Sequence, residues 1–271
     1  MAAPDKHGSP VHVLESVGRS ASQFVEAFGF GAYLFFESFY WLIRGHRKGQ
    51  RVRAEPVFAQ MMLIGVNAIP IVSMLSVAIG ITLSMQGIDS LEQFGAQHQV
   101  MFMVALSVTR EFGPLITGIL VAGRSGSALA ARISTMMISQ EIDALKVMGI
   151  NPVRYIVVPA LLGMMIVLPA LTLWSIGISL IGSALYVAPQ IGTTASAFFA
   201  QVNASIGTDD LAHGLTKSLI FAVLITIVSV VDGVSVKGGA EGVGRVTTSA
   251  VVHGITAIVL TDMIFVFATT A

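Results

Sequence analysis

The chain has no cysteine and few charged residues. Cysteine is absent from all 271 residues, which excludes disulfides, thiolate metal ligands and a cysteine nucleophile. Charged side chains make up 11% of the sequence and hydrophobic ones 54%, whereas a typical soluble domain is about 25% charged. The formal net charge is zero, so no basic surface for nucleic acid is expected. This composition predicts an all-α, polytopic membrane protein.

Sequence motifs for catalysis are also missing. No G-x-x-x-x-G-K-[ST] phosphate loop occurs, and the run from Gly123 to Ser127 does not match a G-x-S-x-G nucleophile elbow. His213 and His253 lack the spacing of a metal-binding pair. The N-terminal residues lack the apolar core and cleavage site of a signal peptide, so we expect insertion by the chain's own spans. We predict no catalytic residue, no metal and no cofactor bound by this chain, which is therefore not an enzyme by itself.

Long runs without charge predict five transmembrane spans in residues 56–271. They lie at about 57–87, 98–123, 155–187, 211–231 and 247–270, each long enough to cross the roughly 30 Å of a bilayer's hydrocarbon core. The first span is expected to kink near Pro70. The small and polar residues 188–208 are expected to form an extramembrane loop.

The N-terminal residues have a different character. Residues 1–19 are predicted to be a polar tail, and residues 20–55 an aromatic-rich helix followed by a basic cytoplasmic segment that runs from Arg44 to Arg53. Glu26 and Glu37 are eleven residues apart and so share one helix face, while the run between them is too short to span a membrane. We predict an amphipathic helix in the membrane interface. A first transmembrane span is the alternative.

The distribution of lysine and arginine predicts the orientation. Seven lie before residue 56, four in residues 124–154 and two in residues 232–246, whereas the segments between the other span ends hold none. Because basic residues accumulate on the cytoplasmic side, the N-terminus is predicted to be cytoplasmic and the C-terminus to lie outside.

Four charged residues interrupt the predicted spans. Arg110 and Glu111 lie in the second span, Lys217 in the fourth and Asp262 in the fifth. A charge at the bilayer centre costs roughly 2.5–3.5 kcal/mol on insertion scales, and such residues are usually functional. One interpretation is two structural ion pairs, such as Arg110–Asp262 and Glu111–Lys217. The other is the polar wall of an outward-open cavity that accepts a zwitterionic or anionic headgroup.

The second span also carries backbone signals. Pro114 lacks an N–H, so Gly113 and Pro114 predict a helix bend beside the charged pair. A run of small residues that follows predicts close helix packing, within the chain or across a dimer. Its members are Gly123, Gly126, Ser127 and Ala130.

Three stretches of the sequence form distinctive motifs: Thr-Arg-Glu-Phe-Gly-Pro-Leu at 109–115, Ala-Gly-Arg-Ser-Gly-Ser-Ala at 122–128, and Glu-Ile-Asp-Ala-Leu-Lys-Val-Met-Gly-Ile-Asn-Pro at 141–152. Together they resemble the MlaE/YrbE permease family, the membrane subunits of MCE-associated lipid ABC transporters. The segments around Lys217 and Asp262 are similar to the family's later spans, and the resemblance covers about residues 50–270.

The resemblance implies an inner-membrane homodimer with an interfacial helix and five spans per subunit. Each copy would bind a cytoplasmic ABC ATPase that holds ATP and Mg²⁺, and the dimer would dock a periplasmic MCE-domain hexamer, with a STAS-domain protein as a further partner. Phospholipid would move between the inner membrane and that assembly, maintaining outer-membrane lipid asymmetry. Arg110, Glu111, Lys217 and Asp262 would line the lipid cavity. A coupling helix between spans two and three would contact the ATPase through Glu141, Ile142, Asp143, Leu145, Lys146, Met148 and Gly149.

Two other function classes are open on the residues alone. An ion- or proton-coupled secondary transporter could use Glu111 and Asp262 as proton carriers, although five spans do not divide into the two halves of an inverted repeat. A membrane scaffold without a cavity would use the intramembrane charges only as structural ion pairs.

Overall fold

Residues 10–44 and 54–270 are described by the computed structural model, and every regular element among them is a helix. Five helical segments in this part of the chain are long and apolar enough to cross a membrane. They are Ile69–Glu92, Gln97–Ile138, Val153–Ile191, Thr208–Val234 and Ala240–Thr269. The predicted all-α polytopic fold is confirmed.

The N-terminal helix, α1, is a single 35-residue element from Pro10 to Arg44. It begins ten residues before the predicted helix start at residue 20. Phe28, Tyr33 and Phe36 are exposed on one side, whereas Leu34 is buried against the rest of the chain. Most of the predicted basic segment, residues 45–53, lies outside the described residues.

The predicted first span consists of two helices, α2 (Ala54–Gly65) and α3 (Ile69–Glu92). Pro70 stands in the first turn of α3, where its missing N–H has no intrahelical partner to lose. The break therefore comes just before the proline that predicted a kink.

Helix α3 packs very closely on the long helix α8 (Val158–Ile191). A Cβ atom added at Gly80 would lie 2.0 Å from the carbonyl oxygen of Ser179. The hydroxyls of Ser76 and Ser175 are 2.8 Å apart, and Ser183 donates to the Gly80 carbonyl at 3.0 Å. Small residues thus let two apolar helices touch at backbone distance.

The second span is one continuous helical segment with two wider turns. It comprises α4 (Val100–Ser107), a π turn (Val108–Phe112), α5 (Gly113–Val121), a second π turn (Ala122–Gly126) and α6 (Ser127–Ile138). The helical segment thus continues fifteen residues beyond the predicted span end at Gly123. Single π turns within α-helices occur frequently at functional sites.

The remaining elements complete the bundle. The short helix α7 (Glu141–Val147) separates spans two and three, and a π turn (Val153–Val157) leads into α8. Helices α9 (Ala195–Ser205), α10 (Thr208–Val234) and α11 (Ala240–Thr270) follow. The prediction of a loop over 188–208 was wrong, because α8 extends to Ile191 and α9 buries Phe198 and Val202 one turn apart.

The buried apolar side chains form layers along the helices. The central layer includes Val72, Leu168 and Phe221, and a second layer joins α4, α8 and α9 around Val104 and Phe198. The third layer joins α1, α6, α7 and the start of α8. The charged site lies in the membrane-spanning part of this bundle.

Candidate functional site

Three of the four predicted intramembrane charges meet at one point. The side chain of Lys217 in α10 is 0% exposed, and its Nζ lies 2.5 Å from Glu111 Oε2 and 2.9 Å from Asp262 Oδ1. The ring of Phe265 lies 5.6 Å from the same nitrogen. One buried ammonium therefore connects α10 to the first π turn and to α11.

Arg110 forms a separate ion pair. Its Nε lies 2.6 Å from Asp210 Oδ1, and the other oxygen of Asp210 accepts a hydrogen bond from the Gly207 N–H at 2.8 Å. Of the two suggested ion pairs, the structure contains Glu111–Lys217. The other suggested pair, Arg110–Asp262, does not form, because Asp262 also pairs with Lys217 and Arg110 pairs with Asp210. The sequence contained one signal for Asp210, since an aspartate in the first turn of a helix accepts backbone N–H groups.

The backbone at the π turn explains why two adjacent residues reach different partners. Side chains of neighbouring residues leave an α-helix about 100° apart. Here the Gly113 N–H donates to the Val108 carbonyl, five residues earlier, and Pro114 has no N–H to donate to Arg110. The predicted irregularity at Gly113 and Pro114 is thus a widened turn that carries the charged pair.

Glycine in α10 sets the distance between α10 and this turn. A Cβ atom added at Gly214 would lie only 2.4 Å from the carbonyl oxygen of Thr109. Because Lys217 follows Gly214 by three residues, it lies on the same side of α10 and faces Glu111. The close approach of the two backbones therefore positions the ammonium.

The five charges of this site leave one excess negative charge. Arg110 and Lys217 are balanced against Glu111, Asp210 and Asp262. Their exposure is uneven: the side chains of Arg110 and Glu111 are 44% and 36% exposed, whereas those of Asp210 and Asp262 are 10% and 14%. Arg110 and Glu111 thus present polar atoms at the chain's surface, and the other three anchor them.

A histidine lies one turn from Lys217 on α10. His213 Nε2 is 3.3 Å from the Thr269 hydroxyl, and its ring packs edge-on against Phe265 at 4.9 Å between centroids. These contacts fasten α10 to α11 beyond the lysine. His213 was considered in the sequence only as a metal ligand, and its role next to Lys217 was missed.

The residues predicted to contact an ATPase divide into two faces of α7. Ile142 and Leu145 are buried in the layer that includes Leu34, Ile133 and Ile156. The exposed face consists of Glu141, Asp143, Lys146, Val147 and Met148, and Gly149 ends the helix with φ of +75°. Val147 is 89% exposed and is not among the residues that the sequence predicted to contact the ATPase.

The four small residues predicted to pack closely lie in two different environments. A Cβ atom added at Gly126 would lie 3.0 Å from both Ile225 and Ser229 of α10, and Ala130 is 0% exposed. Apart from its chain neighbours and the backbone of its own helix, no described atom lies within 4 Å of a Cβ atom built at Gly123, and Ser127 is half-buried. The run therefore packs inward at Gly126 and Ala130 and leaves Gly123 and Ser127 accessible.

Helix α1 is tied to the segment that follows α7. Glu37 Oε1 accepts hydrogen bonds from Asn151 Nδ2 at 2.8 Å and from Trp41 Nε1 at 3.4 Å. Asn151 Oδ1 accepts from the N–H groups of Val153 and Arg154, which start the next span. A hydrogen bond to Glu37 raises the pKa of Tyr33 above its ordinary value.

Comparison with known proteins identifies the family. The family model described as Permease MlaE matches residues 57–268. A probable ABC transporter permease protein of Rickettsia typhi is 34% identical over 197 residues, which cover 73% of this chain and 76% of that protein. The intermembrane phospholipid transport system permease protein MlaE of Haemophilus influenzae is 30% identical over 245 residues, 90% of this chain and 92% of that protein. The chloroplastic protein TRIGALACTOSYLDIACYLGLYCEROL 1 of Arabidopsis thaliana is 31% identical over 205 residues, 76% and 59% of the two chains.

Proposed function

The chain belongs to the MlaE permease family of ABC transporters, and from this we propose that it is the membrane subunit of an ATP-driven phospholipid transporter. In this proposal, phospholipid moves between the inner membrane and a periplasmic MCE-domain hexamer, and transport maintains outer-membrane lipid asymmetry. ATP and Mg²⁺ are held by a separate cytoplasmic ATPase, and a STAS-domain protein is a further partner.

The buried cluster around Lys217 is the observation that carries the proposal. It fixes three spans to one another while Arg110, at 44% exposure, remains accessible beside it. Arginine binds phosphate through two parallel N–H groups and stays charged at any relevant pH. We assign Arg110 as the phosphate contact, Asp210 as the residue that orients it, and Glu111, Lys217 and Asp262 as the polar wall and its support.

A homodimer would complete the cavity. Arg110 and Glu111 lie at the surface of the single chain, so a second copy apposed to this surface would enclose them between two apolar walls. Helix α11 exposes apolar side chains such as Leu260 and Ile264. Such a cavity accepts a charged headgroup beside acyl chains.

Helix α7 is the proposed contact with the ATPase. Val147 and Met148 form an exposed apolar tip, while Ile142 and Leu145 are buried in the inner layer of the bundle. A push on the tip would therefore move α6 and α8 with it, because packed side chains transmit displacement. This assignment places α7 and the N-terminus in the cytoplasm, α1 in the membrane interface and the C-terminus in the periplasm.

The alternative of a proton-coupled secondary transporter is less well supported. Both of its proposed proton carriers, Glu111 and Asp262, lie within ion-pair distance of Lys217. Both carboxyl groups are thus engaged by a buried lysine that joins three spans. The comparisons likewise point to the ABC class.

Transport in proteoliposomes tests the proposal. Liposomes containing this chain and its ATPase should release a labelled phospholipid to the MCE-domain acceptor with ATP, and not with a non-hydrolysable analogue. The charge reversals Arg110→Glu and Glu111→Arg should preserve the dimer and reduce transport at least tenfold, since each places a charge of the wrong sign in the wall. Transport driven by a proton gradient without nucleotide would overturn the proposal, as would wild-type rates in both reversals.

A further inference from the structure

A largely apolar cavity lies in the bundle, apart from the charge cluster. It has a volume of about 120 Å³ between α2, α6 and α8, well above the roughly 10–15 Å³ that a single water needs. Its polar lining residues are Gln60, Arg124, Ser125 and Arg132, and its apolar walls include Ile64, Met164 and Ala128. Apolar walls with a few convergent polar groups are typical of small-molecule sites.

The two arginines of this cavity have no carboxylate partner in the part of the chain that the structure describes. Among residues 10–44 and 54–270, neither Arg124 nor Arg132 has a carboxylate within ion-pair distance. The charges of the cluster around Lys217 and Arg110, by contrast, are all paired. Two guanidinium groups at one cavity provide donors and positive charge for an anion.

The sequence places this cavity at an edge of the membrane. Arg124 is the first charged residue after the twelve uncharged residues 112–123, and it lies roughly 20 Å along the helix from Glu111 at ~1.5 Å per residue. Gln60 lies in α2, which follows the basic segment that ends at Arg53. On the orientation predicted from the lysines and arginines, this is the level of the cytoplasmic headgroups.

Exposed apolar side chains lie beside the two arginines. Leu63, which lines the cavity, is 56% exposed, and its neighbours Phe58 and Met62 on α2 are each 63% exposed. Arg124 and Arg132 are also exposed, so a phosphate can contact them while apolar groups joined to it lie against these side chains. A phospholipid combines a phosphate with acyl chains in this arrangement, whereas a soluble anion does not.

We propose that Arg124 and Arg132 bind the phosphate of an anionic phospholipid from the cytoplasmic leaflet, with Gln60 as an additional donor and the first acyl methylenes against Ile64 and Met164. This site is separate from the proposed transport cavity in position and in the residues that form it. It requires no nucleotide and no transport step, so it can fail or hold independently of the proposed function.

Native mass spectrometry of the full chain in mild detergent tests the site. Palmitoyl-oleoyl-phosphatidylglycerol is the probe, and palmitoyl-oleoyl-phosphatidylcholine is the zwitterionic comparison. The double variant Arg124→Gln/Arg132→Gln should bind the first phosphatidylglycerol roughly 25-fold more weakly, since each arginine near a membrane surface contributes about fivefold to binding an anionic lipid. The variant Arg124→Lys/Arg132→Lys should recover part of the loss because it restores the charge but not the paired donors.

Two further variants make the result specific. Arg245→Gln removes an exposed arginine of α11 that is unconnected with the cavity, and it should leave binding unchanged. Ala128→Phe keeps every charge but fills the cavity at an exposed position, so it should weaken binding even if the double glutamine variant does not fold. Binding within twofold of wild type in both the double variant and Ala128→Phe would overturn the proposal. So would a double variant that loses its ATPase on purification while phosphatidylglycerol binding is unchanged, since the arginines would then serve a protein partner.

Discussion

Replacing Lys217 by methionine should strongly destabilise the bundle. Methionine has nearly the same length and volume, so the packing around a fully buried side chain is preserved while the charge is lost. Glu111 and Asp262 would then face each other without the ammonium that lies 2.5 and 2.9 Å from their oxygens. Breaking a buried ion pair by removing one partner costs about 3–5 kcal/mol.

This cost should be visible as a fall in the thermal midpoint on the order of 10 °C, at about 2–4 °C per kcal/mol for a chain of this size. The assay is size-exclusion chromatography of the detergent-purified protein after heating. Lys146→Met is the matched control, because Lys146 pairs with Asp143 at 2.9 Å on the exposed face of α7, where side-chain exposures are 60% and 65%. An exposed pair of this kind contributes about 0–1 kcal/mol, so the control should stay within a few degrees of wild type.

A rescue variant separates stability from transport. Lys217→Met combined with Glu111→Gln and Asp262→Asn leaves no unpaired charge, and replacing a whole buried ion group by neutral residues is often neutral for stability. The triple variant should recover most of the lost midpoint but should not recover phospholipid transport. A single Lys217→Met variant that melts with the wild type would refute the ion-pair reasoning, and a triple variant that transports normally would reduce the cluster to a structural role.

Two further predictions concern packing and coupling. Gly80→Ala should lower the thermal midpoint, because the new methyl would lie 2.0 Å from the Ser179 carbonyl oxygen. The control Gly177→Ala on α8 has open space and should raise the midpoint slightly through better helix propensity. Equal midpoints for the two variants would contradict the close contact at Gly80. Val147→Asp should reduce co-purification of the ATPase but leave the thermal midpoint unchanged, because the Val147 side chain is 89% exposed. Ile142→Ala removes a buried side chain and should lower the midpoint by an amount equivalent to about 2–5 kcal/mol. An ATPase that binds Val147→Asp at wild-type yield would exclude this tip from the interface.

The spans could be predicted from the sequence because membrane insertion depends on local composition. Runs without charge predicted five spans, and the all-α polytopic fold with five helices long and apolar enough to cross a membrane is confirmed. Helix α9 was missed because much of its stabilisation is not local. Thr194 caps it by accepting a hydrogen bond from the Ala197 N–H, but its largest contribution is the burial of Phe198 and Val202 against α4 and α8.

The charge pairing was only half predictable for the same reason. Glu111–Lys217 was one of the suggested pairs, but Arg110 pairs with Asp210, which the sequence placed merely at the start of a span. Partner choice depends on how far the π turn rotates Arg110 from Glu111 and on how closely Gly214 lets α10 approach. Neither quantity can be obtained from residue spacing along a single helix.

The continuous second span gives a physical link between the proposed ATPase contact and the proposed lipid contact. Its C-terminal end leads into α7, and its π turn at Val108–Phe112 carries Arg110 and Glu111. Helix α10 runs beside it and makes three close contacts with it: Gly214 against Thr109, Ile225 and Ser229 against Gly126, and Gly233 against Ile133. A displacement of α6 through α7 is therefore expected to move α10 at these contacts, while Lys217 holds α11 to both. Because packed interfaces switch between discrete arrangements rather than deform continuously, the change expected at the lipid contact is a joint movement of the three charged spans.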